Sequence, residues 1–107
     1  MATIKLALVA AIVFVMSSIL ARAEGDAQNG QSLAREWCAR CHNVEPNGPF
    51  KLHPPSFASI AVYRSEDQVR SRIAFPPVHT IMPQIAYILT PENIDDLVTY
   101  IVSLEGN

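Results

Sequence analysis

Residues 38–42 read Cys38-Ala39-Arg40-Cys41-His42, and Cys38 and Cys41 are the only cysteines in a chain of 107 residues. Two thiols one helical turn apart can both add to the vinyl groups of a single haem. The histidine that follows is placed to ligate the iron from one side. The stretch therefore reads as c-type haem attachment, with Cys38 and Cys41 as the covalent anchors and His42 as the proximal ligand. The other ring nitrogen of His42 should donate to a carbonyl that sets its tautomer. A partial zinc site is the competing reading. It would need four Cys or His ligands, only His53 and His79 remain to complete it, and no second cysteine pair is present. A dithiol oxidoreductase would want alternating strands in a βαβ setting, which the sequence does not offer.

The N-terminus has the form of an export signal. Met1 to Lys5 carries one positive charge, Leu6 to Leu20 is apolar apart from Ser17 and Ser18, and Ala21-Arg22-Ala23 is a small-x-small cleavage pattern. The apolar run falls short of the roughly 20 residues that a spanning helix needs. Residues 1–23 are thus expected to be a signal peptide and residues 24–107 a single domain, with no permanent membrane span after cleavage. In bacteria haem is attached outside the inner membrane, so the expected location is the periplasm. Residues 24–107 hold six Arg or Lys against ten Asp or Glu, a net charge of −4. That balance argues against nucleic acid as a partner and for a docking protein with a basic rim. Eighty-four residues also bury a small core, and an apolar macrocycle would supply much of the missing interior.

No segment alternates over the length of a strand. Asp26 is a good N-cap for a helix carrying Ala27, Gly30, Leu33, Ala34 and Trp37 on one face, which runs straight into the cysteine motif. A proline-rich loop follows to Pro55, and Ser56 caps a short helix with Phe57, Ile60 and Ala61. Ser65-Glu66-Asp67-Gln68 is a capping box opening a helix with Val69, Ile73 and Ala74 on one side, stopped by Pro76-Pro77. Pro76 to Leu89 has little helical signal. Thr90-Pro91-Glu92 then starts a last helix whose stripe is Ile94, Leu97, Val98, Ile101 and Leu104, ended by Gly106. The fold class is all-α with long loops. Arg64, Arg70 and Arg72 read as a solvated helix face.

The far side of the iron is assigned by elimination. The candidates are Met82, His79 and His53, and Met82 is the only methionine in residues 24–107. A lone methionine often fills a gap in a core, but Met82 stands between Thr80-Ile81 and Pro83 in a loop, not on a helix stripe. Met82 is taken as the distal ligand, with His79, His53 or an open site as alternatives.

Cys38 to His42, Met82-Pro83, Gly30 eight residues before Cys38, and Tyr100 in the last helix together resemble the small bacterial class I cytochromes c, over essentially all of residues 24–107. The resemblance implies a small cytochrome c fold, three to five helices wrapped round one covalent haem c. It implies that the first and last helices cross near Gly30 and Tyr100, that the carbonyl of Pro55 accepts from His42, and that Phe57 packs on the haem. One position departs: where the family often has an aromatic, this chain has Ala34, leaving Trp37 or Leu33 to fill the space. The implied function is a periplasmic carrier of single electrons between redox proteins, a dehydrogenase as donor and an oxidase or other protein as acceptor, with no catalytic residues. Ile81, Pro83 and the segment round Arg40 would rim the exposed haem edge. A cytochrome subunit held permanently by a periplasmic oxidoreductase is the alternative, and a ligand-binding haem protein with an open distal site is a more distant one.

Overall fold

The computed structural model describes residues 2–7 and 25–106. The expected signal peptide lies outside these residues except for 2–7, which are helical. Among the described residues no helix is long and apolar enough to cross a membrane. From residue 25 onward there are four α-helices and one 3-10 turn: α1 (Ala27–Trp37), α2 (Phe57–Tyr63), α3 (Glu66–Ala74), the 3-10 turn Ile85–Tyr87, and α4 (Pro91–Ser103). The described residues contain no strand, only an isolated bridge between Leu52 and Pro55.

Each helix begins where a side chain satisfies the orphan N–H groups of a first turn. The Asp26 carboxylate accepts from the N–H groups of Gln28 and Asn29 at 2.9 and 3.1 Å. Ser56 accepts from Ser59, and Ser65 forms a reciprocal box with Gln68. Thr90 forms a second such box with Asn93, beyond the proline and acid signals expected there. α4 ends at Ser103, earlier than the glycine suggests. Its last turn tightens as the N–H groups of Leu104 and Glu105 reach the carbonyls of Ile101 and Val102 at 3.1 Å. Gly106 takes a left-handed φ of 86° only after that turn is complete.

The core is the crossing of α1 over α4, onto which α2 and α3 pack. A Cβ on Gly30 would stand 2.0 Å from the Asp96 carbonyl oxygen and 2.8 Å from Tyr100 Cβ, so only glycine permits this approach. The contact is sealed by polar groups of both helices. The N–H of Asp26 and the side-chain amide of Asn29 both donate to the Asp96 carboxylate at 2.7 Å, and the N–H of Gly25 donates to the Thr99 hydroxyl. Ala34 is fully enclosed beside the crossing, while Leu97, Val98 and Ile101 are almost entirely buried beneath it. Leu33 packs against this core. Trp37, expected on the same stripe, is 42 % exposed, because it sits in the last turn of α1, beyond the crossing. Arg70 does not lie on a free solvated face: it pairs with Asp95 on α4 and, at 3.7 Å, with Glu66.

Tyr100 ties this core to the segment after the cysteine motif. Its buried hydroxyl donates to the Val44 carbonyl at 2.6 Å and receives a longer bond from Gln31 at 3.4 Å. Burial is the main cause that holds the Tyr100 hydroxyl protonated beyond its ordinary range. Gly30→Ala forces the helices apart and is expected to cost roughly 2–3 kcal/mol, read as a fall in the denaturation midpoint of the holoprotein. Tyr100→Phe keeps the ring but strands a buried carbonyl, with an expected loss of about 1–3 kcal/mol in the same measurement.

Candidate functional site

The cysteine motif continues the helical path of α1 for one more turn. The N–H groups of Cys38 and Ala39 both donate to the Ala34 carbonyl, at 2.9 and 3.0 Å. Those of Cys41 and His42 then donate to the Cys38 carbonyl, at 3.2 and 2.9 Å. Cys38 and Cys41 therefore stand on one turn, and His42 lies a full turn beyond Cys38. Neither cysteine is in a disulfide; Cys41 is exposed and Cys38 partly buried. Burial pushes the Cys38 thiol up to about 11. It is neutral at physiological pH, and conversion to an uncharged thioether suits the same desolvated place.

His42 is fixed from two sides. Its Nδ1 lies 2.6 Å from the Pro55 carbonyl oxygen. A carbonyl only accepts, so Nδ1 must carry the proton and Nε2 keeps the free lone pair needed by a metal. The imidazole rests against Phe57, with ring centroids 5.6 Å apart and planes at 51°, and Phe57 in turn meets Tyr100 at 6.4 Å. Phe57 is thus a buried wedge between the histidine and the last helix. Pro55 is held in place by the turn around it. The N–H of Phe57 donates to the Asn43 carbonyl and that of Ser56 to the Lys51 carbonyl, both at 2.9 Å. The buried Ser59 hydroxyl bonds the carbonyls of Lys51 and Ser56. The His53–Pro54 bond in this turn is cis.

Cys38, Cys41, His42 and Pro55 are thereby gathered at one end of α1. Met82 belongs to a separate loop, residues 76–84, and is half-buried there. That loop is closed on itself: the Gln84 side-chain amide donates to the Pro76 carbonyl at 3.2 Å, and the N–H and hydroxyl of Thr80 both bond the Pro77 carbonyl. His53 and His79 are exposed. No group of three or more His, Cys, Asp or Glu side chains poised to hold a metal ion occurs among the described residues, so the zinc reading finds no support in the geometry.

The surroundings suit a large apolar prosthetic group. Beside Pro55 is a cleft of about 240 Å³ walled by Leu52, Ile60 and Tyr63, with His53 and Arg64 also on its lining. Phe50 stacks edge-on against Tyr63 at 6.0 Å, yet Phe50, Leu52, Tyr63, Phe75 and Tyr87 all expose more than half of their surface. Exposed aromatic and aliphatic side chains in this number are the mark of a binding surface for an apolar group. Gln31, Asn43, Ser56 and Ser59 support the site through hydrogen bonds. Of these, only Ser56 announced itself in the sequence, as a helix cap.

Comparison with known proteins agrees with this geometry. The family model "Cytochrome c" matches residues 27–105. Cytochrome c-552 of Bradyrhizobium diazoefficiens is 39% identical over 101 residues, covering 91% of this chain and 89% of its own length. That span is more than residues 24–107 can supply, so the similarity runs into the N-terminal segment. Cytochrome c2 of Pararhodospirillum photometricum is 32% identical over 60 residues, 56% of this chain and 50% of its own. No solved structure matches the chain at a significant level. The chain belongs to the cytochrome c family, as a small class I c-type cytochrome that carries a covalently attached haem c and serves electron transport.

Proposed function

We propose that the chain is an exported, freely diffusing monohaem shuttle with a His/Met-ligated iron. The observation that carries this reading is the 2.6 Å contact between His42 Nδ1 and the Pro55 carbonyl, which leaves Nε2 of His42 as the ligating atom. When bound, haem c supplies a one-electron iron couple. Cys38 and Cys41 would hold it by two thioethers from one turn, and His42, braced by Phe57, would offer Nε2 to the iron. Met82 would hold the iron through a neutral sulfur, which would favour the ferrous form and raise the potential relative to a second histidine. With His42 and Met82 both holding the iron, no place would be left for a substrate, which fits a carrier of electrons.

Residues 1–23 direct export, and cleavage after Ala23 leaves residues 24–107 in the periplasm. The charge and apolar pattern of that segment support this. There the domain passes electrons between a dehydrogenase-type donor and an oxidase or other acceptor.

Met82→Ala in the holoprotein is expected to remove the weak far-red absorption band of Met-ligated ferric haem and to lower the potential by on the order of 100 mV or more, given how strongly axial ligands tune haem iron. An unchanged spectrum and potential would take Met82 out of the site. Cys41→Ala is expected to leave one vinyl group unreacted, seen as a red shift of the pyridine haemochrome band with the haem still covalently bound through Cys38. An unshifted band would show that Cys41 carries no thioether.

A further inference from the structure

The dipeptide asparagine-glycine occurs twice, as Asn29-Gly30 and as Asn47-Gly48. Both asparagines are exposed, so access to water does not separate them. Asparagine before glycine is open to a definite reaction, because glycine has no side chain to shield its nitrogen or restrict its rotation. The glycine nitrogen, on losing its proton to hydroxide, attacks the side-chain carbonyl carbon of the asparagine. The side-chain nitrogen leaves as ammonia, and a five-membered imide remains. Water then opens the imide at either carbonyl, giving aspartate or isoaspartate. The net change is one water taken up and one ammonia released, with no oxidant or reductant. Ring closure requires the asparagine to turn about its Cα–C bond until the next nitrogen meets its own side chain.

At Asn29 that rotation is opposed by both helices of the crossing. The Gly30 N–H is committed to the Asp26 carbonyl at 2.9 Å. The Asn29 side-chain amide donates to the Asp96 carboxylate at 2.7 Å, and the Asn29 N–H to the Asp26 carboxylate at 3.1 Å. Gly30 lies against the Asp96 carbonyl, so turning this peptide would lift α1 off α4. Asn47 stands instead in the turn Glu45-Pro46-Asn47-Gly48, with proline second and glycine fourth as in a type I turn. The turn is closed by the Gly48 N–H donating to the Glu45 carbonyl at 3.1 Å, and the Asn43 side-chain amide reaches the Pro49 carbonyl at 3.2 Å. Among the described residues nothing hydrogen-bonds the Asn47 side-chain amide. We propose that Asn47 is a site of spontaneous modification, converted to an acid by attack of the Gly48 nitrogen, and that the crossing of α1 and α4 protects the same dipeptide at Asn29. The new carboxylate stands two residues from Glu45, which already pairs with Arg35 at 2.5 and 2.9 Å. Isoaspartate also adds a carbon to the main chain next to Gly48, which lies against the Asn43 side chain. The Asn43 carbonyl receives the Phe57 N–H in the turn that presents Pro55. The reaction therefore acts on the segment that leads out of the cysteine motif.

The test is to hold the holoprotein in mildly alkaline buffer and to follow acid formation at each asparagine by proteolysis and tandem mass spectrometry. Asn47 is expected to convert at least about tenfold faster than Asn29, because opening a helix crossing costs far more than opening one exposed turn. In guanidinium chloride the crossing is gone, and the two rates are expected to become equal. Asn47→Ser removes the reacting amide and is expected to abolish the more acidic form that accumulates on anion exchange, with the visible spectrum unchanged. Equal rates in the folded protein would overturn the proposal. A gap that survives in guanidinium chloride would overturn the protective role of the crossing, since neighbouring sequence would then set the contrast. An acidic form that still accumulates in Asn47→Ser would place the modification elsewhere and overturn the assignment of Asn47.

Discussion

The approach of α1 to α4 at Gly30 is the constraint on which everything else depends. With a hydrogen in place of a side chain, the helix backbones come close enough for Asp96 to bind the start of α1 and for Ala34 to be enclosed. Because α1 runs without a break into Cys38, the crossing fixes where the cysteine turn points. The aromatic column is built on the same contact: Tyr100 lies against Gly30, Phe57 against Tyr100, and His42 against Phe57. A shift of the two helices would reach the histidine ring through three successive contacts.

The second half of the site is a problem of backbone hydrogen bonding in a loop. A histidine ligand is useful only if one nitrogen is committed, and here a proline carbonyl commits it. Pro55 can do so because the surrounding turn is pinned by Asn43, Lys51, Ser56 and Ser59. The buried serines thus position a carbonyl, and their polar atoms are satisfied in doing it. A domain of this size buries a small core, and an apolar cofactor would complete it, so stability and haem binding are coupled in this chain.

Much of this was legible along the chain. The caps Asp26, Ser56, Ser65 and Thr90 open helices because capping is a local event among four residues. The stripe on α4 is buried as its period requires, and the glycine and tyrosine of the crossing meet as the family resemblance implied. What failed was long-range. Trp37 fits the stripe by period yet is partly exposed, since periodicity does not say where along a helix its partner ends. Arg70 looked solvated because its partner Asp95 is twenty-five residues away. The role of Asp96 as an acceptor joining two helices was equally invisible, because a residue off the apolar stripe is ordinarily read as solvent-facing.

The sequence by itself determined the chemistry of attachment: five consecutive residues, Cys38 to His42, specify covalent haem, since both thiols and a ligand must sit within a turn or so of each other. It also determined where the helices begin, because capping is likewise local. Only the tertiary structure decided which nitrogen of His42 is free, what braces its ring, and that the cysteine turn is anchored through Ala34 to the crossing. Those depend on Pro55, Phe57, Tyr100 and Asp96, which meet across 13 to 70 residues of chain. Such meetings follow from packing and not from spacing.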